Sequence, residues 1–321
     1  MQELSIGIDI GGTNTEIGLV DQNGNIWAEC KISTSNYPEV DDYVTALTVA
    51  INKSLKAVTE NYVLKGIGIG APNGNYYTGS IEFAPNLLWK GVVPLVELLN
   101  KNFHVKIALT NDANAAAMGE MIYGAAKGMK DFIVITLGTG LGSGIVVNGK
   151  VVYGHDGFAG EVGHTIYDPQ GRLCGCGRKG CLETYASATG IKKTVIELLD
   201  KTSESSLLRS VAENDLSSKN IYEAAVKGDK IALEAFDYTA RILGLKLADS
   251  IAYTSPEAIF LFGGLALAGD YILKPTKKYM EENLLQIFKN KVKLEISGLM
   301  GKNAAVLGAA ALIWNESEES I

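Results

Sequence analysis

Three cysteines fall within eight consecutive positions, Cys174, Cys176 and Cys181, and one of only three histidines, His164, stands upstream of them. The spacing His164-x9-Cys174-x-Cys176-x4-Cys181 offers three thiolates and one imidazole. That is a complete tetrahedral shell for zinc with no open position, so an ion held there is structural and not hydrolytic. Glycines at 171, 175, 177 and 180 let the loop fold tightly around it. The alternative is a set of reduced, buried thiols, a weaker reading because cysteines at ligand spacing are a strong signal. Glu161 lies three residues before His164, and Glu183 two after Cys181. Pinning both ends of the loop to one ion would fix these two carboxylates relative to each other. Paired carboxylates accepting from hydroxyls suit a polyol, although each glutamate alone would read as a solvated surface residue. Cys30, by contrast, stands alone in an apolar strand and reads as core.

Two further carboxylates occupy positions that ask for a reason. Asp9 interrupts the apolar run "SIGIDIGG", where an ionised, unpaired carboxylate would suffer several kcal/mol of desolvation. It reads either as an Asx turn into Gly11 or as a ligand for hydrated Mg²⁺ on a phosphate chain, and the second is favoured. Asn111 and Asp112 end the strand in "VKIALTNDANAAAMGE". Either could be an ordinary helix cap. Yet the carboxyl end of a sheet strand is where open α/β sheets bind ligands. A carboxylate there could take the proton of a hydroxyl that attacks phosphorus.

These groups need a frame, and the sequence writes it twice. "LSIGIDIGGTNTEIGLVDQNGNIWAECKIS" reads as strand, Gly-Gly-Thr turn, strand, Asn-Gly turn, strand; "DFIVITLGTGLGSGIVVNGKVVYG" repeats the order. The repetition predicts a duplicated α/β domain, in line with 321 residues, more than one core usually serves. Glycines 138, 140, 142 and 144 are not a dinucleotide fingerprint, because strand and not helix follows them. They read either as a tight hairpin and nothing more or as a glycine-lined tip whose N–H groups can approach phosphate oxygens. Two copies of the unit, one carrying a strand carboxylate, favour two loops gripping one phosphate chain. Helices are expected over 40–61, 94–100, 191–200, 220–253 and 270–289, and strands over 66–70, 105–109 and 258–262. The last strand runs into "FGGLALAG", a candidate adenosine pocket. Residues 201–220 read as a surface connection and "NESEES" as an acidic tail.

Composition excludes several classes. The chain is 47% apolar and 20% charged with net charge −7 and no Lys/Arg run, so it carries no electrostatic footprint for nucleic acid or an anionic membrane. No apolar run is long enough to span a bilayer, the start lacks a signal-peptide pattern, and four cysteines do not make a secreted framework. A cytoplasmic location is expected, with a homodimer as the assembly.

Glycine tips, Asn-Asp before an alanine helix, and Glu-x-Gly-His with Cys-x-Cys-Gly-x-x-Gly-Cys-x-Glu occur here in an order that resembles the ROK family of sugar kinases and repressors. The resemblance implies duplicated ribonuclease H-like domains of the actin/hexokinase-like ATPase fold, with an interdomain cleft. It implies a small domain over 1–114 plus 303–321 and a large one over 115–302, with the last helix packing on the first domain. By the same resemblance Asp9, Gly11, Gly12, Thr13 and Asn14 form the first phosphate loop, Gly138, Thr139 and Gly140 the second, and Gly263 and Gly264 flank the adenosine. Asp112 would be the base that deprotonates a sugar 6-hydroxyl. Asn86, Asn111, Glu161, His164 and Glu183 would hold the sugar, with His164 binding zinc through its other nitrogen. The implied activity is ATP- and Mg²⁺-dependent phosphorylation of a hexose, glucose first, with structural Zn²⁺. "GAPNGNYYTGSIEFAPNLLWKG" departs from the family pattern at Asn73 and two tyrosines, which leaves N-acetylglucosamine or N-acetylmannosamine as alternative substrates. Family repressors carry a helix-turn-helix before the first loop, for which no room is expected here. A sugar-sensing regulator without turnover is the alternative of another class.

Overall fold

A computed structural model describes residues 1–301 and 303–317. The chain divides into two compact units, Met1–Met129 with Val151–Gly160 and Gly301–Ile321, and Lys130–Lys150 with Glu161–Met300.

The first unit is built on β1 (Gln2–Ile10), β2 (Asn14–Asp21), β3 (Ile26–Ser33), β4 (Tyr62–Gly70) and β8 (Lys106–Thr110), in the order β3-β2-β1-β4-β8. The first three strands are antiparallel; β4 and β8 join in parallel. A small sheet of β5 (Gly74–Asn75), β6 (Ser80–Glu82) and β7 (Val92–Val93) lies within the excursion from β4 to β8. The helices are α1 (Val40–Ala57), α2 (Leu95–Asn100), α3 (Asp112–Tyr123) and the C-terminal α8 (Ala304–Ser317).

Strand β1 shows why the sequence takes this form. Alternate side chains point to opposite faces. Leu4, Ile6, Ile8 and Ile10 are buried in one core with Tyr43, Leu47 and Ile51 of α1. Ser5 and Gly7 between them are small, and α8 lies on them. A Cβ at Gly7 would run into the Val306 carbonyl and one at Gly68 into that of Ala309, while the Ser5 hydroxyl donates to the Ala310 carbonyl at 3.4 Å. The last helix therefore seats backbone against backbone.

In the second unit β9 (Phe132–Leu137), β10 (Leu141–Val147), β11 (Lys150–Val151), β12 (Ala258–Phe262) and β13 (Lys293–Ile296) take the order β11-β10-β9-β12-β13. This is the same topology as the first sheet, antiparallel meander then parallel strands, so the expected duplication is present. The helices are α4 (Ala188–Lys201), α5 (Ser218–Val226), α6 (Lys230–Thr254) and α7 (Asp270–Asn283). Ile133, Ile135 and Leu137 share a core with Ile191, Phe236, Leu243 and Leu247.

Several elements differ from expectation. The single helix over 220–253 is two: Gly228 adopts φ +79°, and Asp229 starts α6 by accepting from the Ala232 N–H at 3.0 Å. Helices α1 and α7 end earlier than 61 and 289. The small sheet and β13 were not expected. Within 201–220, Leu208 and Leu216 are buried anchors of an otherwise open stretch. The first boundary falls after Met129 and not at 114, because α3 packs under α8; a Cβ at Gly308 would meet the Ala115 carbonyl oxygen at 2.5 Å. Residues 151–160 also fold with the first unit: Asn75 Nδ2 donates to the Asp156 carbonyl at 2.8 Å, and the Tyr76 and Tyr153 rings stack at 4.1 Å. Residues 302 and 318–321, which include the second boundary and the end of the acidic tail, lie outside the described residues.

Candidate functional site

In the first unit Asp9 is the penultimate residue of β1, on the face of Gly7 and near the start of α3. Gly70, its register partner on β4, leaves the space: a Cβ there would stand 3.2 Å from the Ala115 Cβ, 3.7 Å from the Asp112 Cα and 4.0 Å from the Asp9 Oδ1. The two acids are thus neighbours across one glycine. Glu16 faces Asp9 across the β1–β2 pairing. Burial pushes the Asp9 carboxyl up to about 7, and the Asp112 and Glu16 carboxylates push the same way. A buried carboxyl that two neighbouring carboxylates push further up belongs to a donor set that a divalent cation would relieve, so the residues fit a hydrated Mg²⁺.

The turn after Asp9 is closed by backbone, with the Gly11 N–H donating to the Asn14 carbonyl at 2.9 Å. Asp9 is therefore not needed as an Asx cap for Gly11. A Cβ at Gly12 would stand 2.5 Å from the Asn86 carbonyl oxygen, which brings exposed Asn86 onto this tip. Thr13 is exposed at the crest. Beneath it the buried Thr15 hydroxyl meets those of Thr34 at 2.9 Å and Tyr43 at 2.8 Å.

Asn111 and Asp112 separate into two roles. Asn111 is the cap of α3, its Oδ1 accepting the Asn114 N–H at 2.7 Å. Asp112 is the first helical residue, with one oxygen accepting from the adjacent Ala113 N–H at 2.8 Å. Solvent reaches its side chain, yet protein crowds it closely enough for desolvation to raise its pKa above the usual carboxylate range, against those backbone hydrogen bonds.

In the second unit the metal-ligand candidates converge. The His164, Cys174, Cys176 and Cys181 donor atoms all lie within 4.8 Å of one another. Cys174 Sγ is 3.7 Å from His164 Nδ1, and Cys176 Sγ is 3.6 Å from Cys181 Sγ, with no disulfide formed. Tetrahedral zinc with bonds of about 2.0–2.3 Å would set its donors roughly 3.3–3.8 Å apart, so the cluster fits the ion. Charge agrees. Burial, with the neighbouring thiols, pushes Cys174 up to about 12; burial opposes ionisation of Cys176 too, but hydrogen bonds from Arg178 bring that thiol down to about 6. One thiolate forms readily, and a cation would be needed to hold three.

The other His164 nitrogen, Nε2, is 4.0 Å from Glu161 Oε2. Glu183 reaches in two directions: Oε1 is 3.6 Å from Cys174 Sγ, and Oε2 accepts the Leu141 N–H at 3.0 Å. The second tip is closed by the Gly138 N–H on the Gly140 carbonyl at 3.0 Å, with Thr139 exposed. Gly263 takes φ +101° after β12, and the Leu265 N–H bonds the Leu137 carbonyl at 3.0 Å. That places the Gly263-Gly264 turn beside the second tip.

Sequence reasoning passed over Arg172. Its guanidinium forks onto Glu197 at 2.8 Å twice, donates to the Thr184 and Gly190 carbonyls at 2.7 and 3.1 Å, and covers the Tyr185 ring at 4.7 Å. It ties the metal loop to α4 without the ion. An arginine two positions before a cysteine cluster carries no spacing signal, so only the fold reveals it.

Comparison with known proteins is consistent along the whole chain. The ROK family model matches residues 5–316. A glucokinase of Halalkalibacterium halodurans is 36% identical over 312 residues, covering 96% of this chain and 94% of that protein. A glucokinase of Streptomyces coelicolor is 36% identical over 314 residues, covering 96% and 97%. The crystal structure of a ROK family glucokinase from Streptomyces griseus, in complex with glucose and AMPPNP, superposes with a TM-score of 0.80 at 35% identity, covering 96% of this chain and 98% of that one. The fold is that of the actin/hexokinase-like sugar kinases. With the family model spanning both units and such identity over nearly all residues, the chain belongs to the ROK family.

Proposed function

We propose that the chain transfers the γ-phosphoryl group of ATP to the 6-hydroxyl of a hexose, with glucose as the main substrate. Asp112 accepts the hydroxyl proton as the oxygen attacks phosphorus. The observation that carries this reading is the division of labour at the head of α3. Asn111 caps the helix, so Asp112 keeps a carboxylate at a strand's carboxyl end, next to Asp9, with a pKa raised toward that of a useful base.

The remaining roles follow chemistry. Asn86, Asn111, Glu161, His164 and Glu183 hold the sugar hydroxyls. Gly11, Gly12, Thr13 and Asn14, and Gly138, Thr139 and Gly140, present backbone N–H groups to the phosphates, with Gly263 and Gly264 along the adenosine. Mg²⁺, carried through water by Asp9, would neutralise charge on the β- and γ-phosphates. His164, Cys174, Cys176 and Cys181 would hold a structural zinc that keeps Glu161, His164 and Glu183 in register. No helix of the described residues is long and apolar enough to cross a membrane, and a cytoplasmic homodimer accords with the reading.

The test is ADP release over a hexose panel by wild type and Asp112→Asn. Turnover with glucose that collapses in the variant supports the reading. Equal behaviour of the two proteins overturns it. Preference for N-acetylglucosamine or N-acetylmannosamine would move the substrate and keep the chemistry, whereas a glucose-dependent thermal shift without any turnover would mark a sugar-sensing regulator.

A further inference from the structure

We infer that Glu183 is a positioning residue for the nucleotide tip as well as a sugar contact, so that hexose and nucleotide affinities are coupled through this one carboxylate. The inference rests on the kinase reading and extends it. Glu183 lies in the metal loop, yet its Oε2 accepts the N–H of Leu141, the residue that follows the tip Gly138-Thr139-Gly140. Gly140 itself has no side chain where the carboxylate sits: a Cβ there would collide with Glu183 Oε2. The neighbouring backbone reinforces the junction. The Ala188 N–H donates to the Gly138 carbonyl at 2.9 Å, and a Cβ at Gly163 would run into the Leu141 carbonyl. The Ser187 hydroxyl in turn donates to the Glu183 carbonyl at 2.7 Å, fixing the residue's own backbone.

The tip therefore has two supports of different kind. On one side β9 and the Leu265 N–H hold the Leu137 carbonyl at 3.0 Å. On the other the support is a carboxylate that a sugar would also engage. A hydroxyl donating to Glu183 orders that side chain, and an ordered Glu183 holds the Leu141 N–H and with it the turn that presents Gly138 and Gly140. By linkage the effect must run both ways. Glu161, the other acid of the loop, is exposed and stands beside His164 Nε2, so it serves as the control.

The experiment measures binding without turnover. AMPPNP affinity is titrated in the absence of sugar for wild type, Glu183→Ala, Glu183→Gln and Glu161→Ala. Glu183→Ala is expected to weaken AMPPNP several-fold, while Glu183→Gln, which keeps an acceptor for the Leu141 N–H, restores most of it. Glu161→Ala should leave AMPPNP affinity unchanged. The reciprocal arm is Gly140→Ala, whose methyl displaces the carboxylate and should weaken glucose several-fold with no nucleotide present. Unchanged AMPPNP affinity in Glu183→Ala, or unchanged glucose affinity in Gly140→Ala, overturns the coupling and leaves the kinase reading standing. Should Glu183→Ala fail to fold, the Gly140→Ala arm decides alone. Wild type that binds no AMPPNP would overturn the kinase reading instead.

Discussion

The two hairpin tips share a frame and differ in where their acid comes from. Each follows the first strand of a meander, and each is closed by a backbone hydrogen bond, Gly11 to Asn14 and Gly138 to Gly140. Two residues before the first tip glycine, however, one sheet carries Asp9 and the other Thr136, whose hydroxyl accepts the Gly142 N–H at 3.1 Å. The first tip grows its carboxylate on its own strand, beside Asp112. The second borrows Glu183 from a loop forty-two residues away in sequence. Duplication kept the scaffold, and the polar groups placed on it diverged. The difference predicts that acids of the first unit act on the reaction and acids of the second act on holding the reactants.

The sharpest way to break that division is Asp112→Asn. A positioned base contributes roughly 10²–10⁴-fold, so kcat should fall by that order while glucose still raises the melting temperature. Retained kcat would dissolve the comparison. Asp9→Asn should lower kcat by about 10²-fold, the scale of a lost metal-borne charge, and shift the Mg²⁺ dependence of steady-state rates upward. Cys176→Ser, or removal of metal by a chelator, belongs to the other unit. It should raise KM for glucose by about 10-fold with far less effect on kcat, checked by initial rates beside a metal analysis.

The pH profile tests the same point without a mutation. Asp112 acts as a base only when ionised, and its pKa is raised, chiefly by desolvation. Activity should therefore be lost as pH falls through a value above the ordinary carboxylate range, where an unperturbed aspartate would still be ionised. A log kcat/KM plot that stays flat well into that range would assign the base elsewhere. The smallest effect is expected at Thr136→Ala, which forfeits one hydrogen bond under the second tip. It should cost about 0.5–1.5 kcal/mol in denaturant unfolding and leave kcat intact.

Much of this was legible before the fold was known, and the reasons are local. Glycine tips, Asn-Gly turns and cysteine spacing are short-range signals, so the duplicated meander and the converging metal ligands could be read directly. Legibility failed where the decisive partner is distant. Asn111 and Asp112 looked equally able to cap until geometry gave the cap to Asn111. Arg172 and the Leu141 contact of Glu183 join residues tens of positions apart. Strand β13 was a different failure: Val292, Leu294 and Ile296 alternate with charged residues over too short a run to stand out. The break at Gly228 was misread because apolar periodicity runs on both sides of it.

Helix α8 lies with its backbone directly on the glycines of β1 and β4. A ribosome makes those strands before residues 130–300 and that helix after them. The first sheet must therefore wait, one face bare, until α8 has emerged, while the second unit, residues 130–150 with 161–300, can finish beforehand. Nascent chains halted before Val306 should show a protease-resistant second unit beside a susceptible first one.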